Sequence, residues 1–128
     1  MTRRSAAIAW PARAALLAVF AVALYGAIDP RHNHAASAPP PDAVEHVLYG
    51  YLLTVLSIAA APRLNPWRIG AGFLAIGVVF EATQALGFVA GTAQAQDLAS
   101  NVAGVVAALA PFALGRARQP ISTGADRP

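Results

Sequence analysis

The sequence predicts an all-α fold: a polytopic membrane protein, built as a four-helix transmembrane bundle with both termini cytoplasmic. Three observations predict it. Of the 128 residues, 57% are hydrophobic and only 12% are charged, about half the charge of an average globular domain. The apolar residues gather into four segments, at 8–28, 43–61, 67–88 and 97–115. Each is near the ~20 residues needed to cross ~30 Å of hydrocarbon. The arginines cluster at the edges of these segments, in the pattern of the positive-inside rule.

Taken in order, the first segment follows Arg3 and Arg4 and carries Arg13 near its start. A basic start and an apolar middle also describe a cleaved signal peptide. The stretch Tyr25-Gly26-Ala27 offers no good small-x-small cleavage site, so a retained first helix is expected. Residues 29–42, DPRHNHAASAPPPD, then form an external loop in which Pro30 and the run Pro39, Pro40, Pro41 forbid a continuous helix. Asp42 stands where an N-cap belongs, ahead of the second helix. Asn65-Pro66 breaks the chain before the third helix. The turn-rich stretch GFVAGTAQAQ separates the third helix from the fourth, which opens at Asp97. The whole bundle forms one domain, 1–115, and the polar tail 116–128 is expected to be disordered and cytoplasmic.

Charge sets the expected orientation. Arg3, Arg4 and Arg13 flank the first helix, Arg63 and Arg68 the second connection, and Arg116 and Arg118 the end of the fourth helix. The two remaining connections hold only Arg31, against Asp29, Asp42 and Asp97. With both termini inside, every crossing obeys the positive-inside rule, and Trp10 and Trp67 fall at the inner interface that indoles favour.

Several functions are excluded or disfavoured. The sequence pI is about 10.2, but there is no lysine and no basic stripe interleaved with aromatics, so a nucleic-acid partner is not expected. The absence of cysteine removes disulfides, thiolate nucleophiles and Cys-ligated metals. His32-Asn33-His34 with Asp29 and Asp42 has loose spacing in a proline-broken loop. No metal and no cofactor is expected.

The informative residues are polar ones inside apolar segments. Glu81 and Gln84 share a face one turn apart on the third helix, and Asp97, Asn101 and Gly104 recur at i, i+4 and i+7 on the fourth. On the second helix, Asp42, Glu45, His46 and Tyr49 share one face. At ~1.5 Å per residue, Glu81 lies ~20 Å up its helix, level with the starts of the second and fourth helices. Each residue also has a plain reading. Asp97 suits an N-cap or a first-turn acid. Asn101 and Gln84 suit interhelical hydrogen bonds, and Gly77 and Gly104 close packing. His46 suits a partly wet interface, and Glu45 suits water at a helix end. Glu81 resists such a reading, because a carboxylate at that depth is costly and is by default a functional hypothesis. The expected site therefore places Glu81 and His46 in catalytic roles and Glu45, Tyr49, Gln84, Asp97, Asn101 and Gly104 around a ligand.

Glu81-x-x-Gln84, followed by Asp97-x-x-x-Asn101-x-x-Gly104, resembles the signature of VanZ-like membrane proteins. The segment DAVEHVLYGYLL is similar to that family's Asp-Lys-x-x-His-x-x-x-Tyr/Phe-x-x-Leu element, matching at Asp42, His46 and, more loosely, from Tyr49 to Leu53. The resemblance covers about 42–114. Two positions depart from it: Ala43 stands for the usual lysine, and Gly91 for the arginine that precedes the fourth helix's aspartate. The resemblance implies a multi-pass protein of the bacterial cytoplasmic membrane, associated with the cell envelope. The family's type member is linked to resistance to the glycopeptide teicoplanin. Expected partners are a membrane lipid or a lipid-linked envelope precursor, and a homo-oligomer is compatible with this reading.

Three function classes remain open. The first is an envelope protein whose outward pocket binds or modifies a lipid-linked or surface ligand. The second is a non-enzymatic membrane scaffold whose polar layer only specifies packing. The third is a small proton-coupled transporter, disfavoured because the first helix has no acid before Asp29.

Overall fold

Helix boundaries follow from local chemistry that the computed structural model makes explicit; it describes residues 3–28, 41–89 and 93–118. Four helices form, α1 (Arg3–Ile28), α2 (Pro41–Ala60), α3 (Pro66–Ala85) and α4 (Ala95–Ala117). The fold is all-α. Most of the external loop, including the His32-Asn33-His34 stretch, and the tail from 119 onward lie outside the described residues.

The helices begin and end where capping groups place them. Pro41 opens α2, its missing N–H costing nothing in the first turn. Asp42 therefore lies inside the helix rather than at its N-cap. Asn65 caps α3, its side-chain oxygen accepting from the Trp67 N–H at 2.9 Å, with Pro66 at the first helical position. That helix stops at Ala85, earlier than the expected 88. Gly87 adopts φ 75°, and the N–H groups of Gly87 and Phe88 donate to the carbonyls of Gln84 and Thr83. This pair of bonds is a Schellman motif, which requires a residue in the left-handed region. Glycine supplies it without strain. α4 begins at Ala95 with Gln94 as its N-cap residue, which puts Asp97 in the first turn and not at the cap. At its other end α4 includes Arg116, so the tail starts later than expected.

Three helices, at Ala7–Gly26, Ala43–Ala60 and Ala95–Ala117, are long and apolar enough to cross a membrane. α3 falls below them in hydropathy because Arg68 stands at one end and Glu81 and Gln84 at the other. On α1, apolar residues face every side, and Ile8, Leu17, Val22 and Leu24 are exposed. Such a surface suits lipid tails rather than water.

Register is legible from the contacts. His46 faces Asp97, and Gly50 faces Asn101, so α2 and α4 run parallel. Gly70 meets Val105 and Leu109, Gly77 meets Leu98 and Asn101, and Glu81 meets Gln94, so α3 runs antiparallel to α4. α1 packs on α2, with the Arg13 Nε donating to the Ala60 carbonyl at 3.2 Å. In space the order is α1, α2, α4, α3, with α4 inserted between its two sequence predecessors.

The α2–α4 crossing is made backbone to backbone. A Cβ at Gly104 would meet the Val47 carbonyl oxygen and the Tyr51 nitrogen, and one at Gly50 would lie 2.8 Å from the Asn101 carbonyl oxygen. Neither obstacle is a side chain that can swing away. Small buried residues continue along both helices: Thr54 is fully buried, its hydroxyl donating to the Gly50 carbonyl at 2.7 Å, and Ala108 is buried one turn beyond Gly104. This is the packing logic of helices in lipid, where close approach replaces the hydrophobic drive.

Gly104→Val is expected to force the two helices apart, at a cost of about 1–3 kcal/mol. It should lower the melting temperature in detergent and broaden the gel-filtration peak. Gly26→Ala, at a position where a Cβ meets nothing within 4 Å, should leave both unchanged. Equal behaviour of the two variants would remove the crossing from its central place.

Candidate functional site

Polar side chains from three helices converge on the first turn of α4. Each arrives there for a separate reason. His46 is carried by the α2–α4 crossing, one turn before Gly50. Asp97 occupies the third position of α4, where the helix dipole favours an acid. Glu81 is brought by α3 lying along α4's other side.

On the α2 side, His46 Nε2 lies 3.7 Å from Asp97 Oδ2, with the histidine side chain 30% exposed and the aspartate 11%. The separation is too long for a hydrogen bond and short enough for a charge contact. On the α3 side, a Glu81 carboxylate oxygen accepts the backbone N–H of Gln94 at 2.8 Å. The two halves are joined through one residue, because the Asp97 N–H donates to the Gln94 carbonyl at 3.1 Å.

The arrangement differs from an ordinary capped helix. In a capping box the acid at the third position reaches back to the N-cap N–H. Here that N–H goes to Glu81, an acid from another helix, while Asp97 holds an oxygen toward His46. Gln94 makes no side-chain capping bond of its own. A carboxylate in the helix N-terminal field is favoured there, which offsets part of the cost of placing Glu81 in an apolar segment.

Beside Glu81 lies an open recess of about 280 Å³, lined by Glu81, Ala82 and Ala85 of α3 and by Ala93, Gln94, Ala95 and Leu98. Most of its wall is alanine, so no long side chain fills it. Glu81 supplies the charge on that wall.

The remaining expected residues separate into two groups. Asn101 sits one turn below Asp97 between both neighbours: its backbone carbonyl abuts Gly50 on α2, and its side-chain amide lies 3.7 Å from where a Gly77 Cβ would stand on α3. Gln84 is half-buried, one turn beyond Glu81. Of these two, Asn101 has the contacts that put it at the convergence. Gly104 is buried against the α2 backbone, where its place is packing. Glu45 is exposed and Tyr49 half-buried on α2. Among the described residues, no three His, Cys, Asp or Glu side chains group as metal ligands, and no buried side-chain polar atom lacks a partner.

Two contributors carried no clear sequence signal. Gly50 reads as one more small residue until Gly104 is placed against it. Gln94 acts through its backbone N–H, which no side-chain pattern reports. The Leu86-Gly87-Phe88 stop was the usable clue, since it returns the chain toward Glu81.

Amide exchange tests the Glu81 bond. Glu81→Ala removes the acceptor and is expected to speed exchange at Gln94 several-fold, while Glu81→Gln retains a carbonyl oxygen and should give an intermediate rate. Wild-type exchange at Gln94 in Glu81→Ala would show that the carboxylate does not hold the α4 start.

No protein-family model matches the chain, and no curated protein or solved structure matches it either.

Proposed function

We propose that the chain is a VanZ-like protein of the bacterial cytoplasmic membrane, with all four helices in the bilayer and both termini cytoplasmic. Its polar end faces outward and binds, and in an enzymatic version modifies, a lipid-linked or surface ligand of the envelope. The observation that carries this reading is the meeting of Glu81 and the His46–Asp97 pair on one turn of α4, beside an open recess.

The topology is supported by packing. α3 lies along α4 from Gly70 to Glu81, so a bilayer that accepts α4 accepts α3 with it. Orientation is supported by the opposite end, where Arg13 stacks 5.3 Å from the Trp10 ring and Arg116 5.4 Å from that of Trp67. Arginine and tryptophan together mark an inner interface.

The chemistry follows from the charges. Glu81 and Asp97 make the outer end acidic, while Arg13, Arg63, Arg68 and Arg116 belong to the other end. Such a site favours a ligand that presents an amine or hydroxyl donor over one that presents phosphate. The absence of the family's two usual cations, at Ala43 and Gly91, points the same way. In the enzymatic version, His46 accepts the proton of that donor and Asp97 steadies the imidazolium.

The Glu81–Gln94 bond favours a second reading, a scaffold in which the carboxylate only anchors a turn. Glu81→Gln separates the two, because it keeps the oxygen acceptor and removes the charge. In a deletion strain tested against envelope-targeting antibiotics, teicoplanin included, both Glu81→Gln and His46→Ala are expected to fail at complementation while inserting at wild-type levels. Full complementation by both variants would leave the scaffold.

A further inference from the structure

At the opposite end from the acidic site, α1 and α3 stand apart over the end of α2 and leave a groove of about 310 Å³. Its banks are Leu16 of α1 and Ile69, Gly72, Phe73 and Ile76 of α3, and its floor is Ser57, Ala60, Ala61 and Leu64. Arg68 stands at one end of this apolar trough. Arg13 of α1 does not line the groove, though its Nε bond to the Ala60 carbonyl holds it near the same end.

We propose that this groove holds one acyl chain of an anionic glycerophospholipid, with the phosphate at Arg68. Three features support this occupant. The trough from Arg68 to Ile76 runs eight residues, or ~12 Å, and so stays within the ~15 Å of a single leaflet. Its walls are apolar in a chain whose helices are long enough for a bilayer. Its charged end has a lining cation, Arg68, complementary to a phosphodiester and to the anionic inner leaflet. Arginine also suits phosphate by geometry, through paired N–H donors. The Trp10 and Trp67 rings that stack on Arg13 and Arg116 set the same end at headgroup level.

Gly72 makes the idea testable without disturbing the helices. A Cβ there meets nothing within 4 Å and would stand in the groove's wall, so Gly72→Leu is expected to fill the groove without pushing the helices apart. Full-length protein in uncharged detergent would be titrated with phosphatidylglycerol or with phosphatidylcholine of the same acyl chains, and retained lipid read by native mass spectrometry. Wild type is expected to retain phosphatidylglycerol about fivefold better, the advantage expected of one interfacial arginine. Arg68→Gln should erase that preference, and Gly72→Leu should lose both lipids with an unchanged melting temperature. Glu81→Gln should bind as wild type does, which keeps this site separate from the acidic one. Equal retention of the two lipids by wild type, or wild-type retention by Gly72→Leu, would overturn the proposal. So would a wild-type dimer that Gly72→Leu converts to monomer, since the groove would then hold a second copy. If Arg68→Gln does not fold, the Gly72→Leu result decides alone.

Discussion

The rest of the molecule depends on the close approach of α2 and α4. Two glycines, Gly50 and Gly104, let the backbones touch, and the contact allows only one register. With that register set, His46 one turn before Gly50 must face Asp97 one turn before Asn101. The His46–Asp97 contact is therefore a consequence of the glycine crossing and not its cause. This ordering matches the energetics: a charge contact at 3.7 Å with a partly exposed histidine is weak as a source of stability. Backbone contact over several turns is the larger and more directional constraint.

That crossing also explains why α4 lies between α2 and α3. A helix with close neighbours on two sides can receive polar groups on both faces of its first turn. α4 takes His46 on one face and Glu81 on the other, linked by the hydrogen bonds through Gln94. The start of a helix is the one place in an apolar segment where backbone N–H groups lack internal partners. Glu81 answers that need from a neighbouring helix, and the helix dipole in turn favours its charge. The same bond that stabilises the carboxylate holds it at the rim of the recess, so anchoring and presenting a charge are not competing roles for this residue.

The sequence told the architecture well and the site less completely. Four helices were legible because each apolar segment was bounded by prolines, glycine or arginine. The convergence of Glu81, Asp97 and His46 at one height was legible because helical rise converts residue number into depth. What was not legible was pairing in space. Nothing in the one-dimensional pattern of α2 and α4 says that they run side by side while α2 and α3, adjacent in the chain, rest lightly on each other. Gly50 had no partner until that was known. The end of α3 was misplaced by treating Phe88 as part of an apolar run, when Gly87 before it completes a Schellman stop. Asp42 was misplaced as a cap for a similar reason, because α2 begins before it at Pro41; of the two readings of Asp97, the first-turn acid holds, since α4 begins at Ala95.

α3 is the one helix of the four that is not apolar enough along its length to count as a membrane span, and the polar residues that lower its hydropathy are Arg68, Glu81 and Gln84. They stand at its two ends, with the glycines and apolar residues between them. A polar group near the interface costs far less than one at the bilayer centre, so the placement limits the cost to insertion while giving each end its own chemistry. The cation goes to the end where Arg13, Trp10, Trp67 and Arg116 gather, and the acid goes to the end where α4 begins. Reversing the two would put an arginine against the positive end of the α4 dipole and an acid among anionic headgroups, and both contacts would be repulsive. Under the proposed topology, the polarity of this one helix puts a cationic end and an acidic end on opposite sides of the membrane, and so favours a single orientation of the whole bundle.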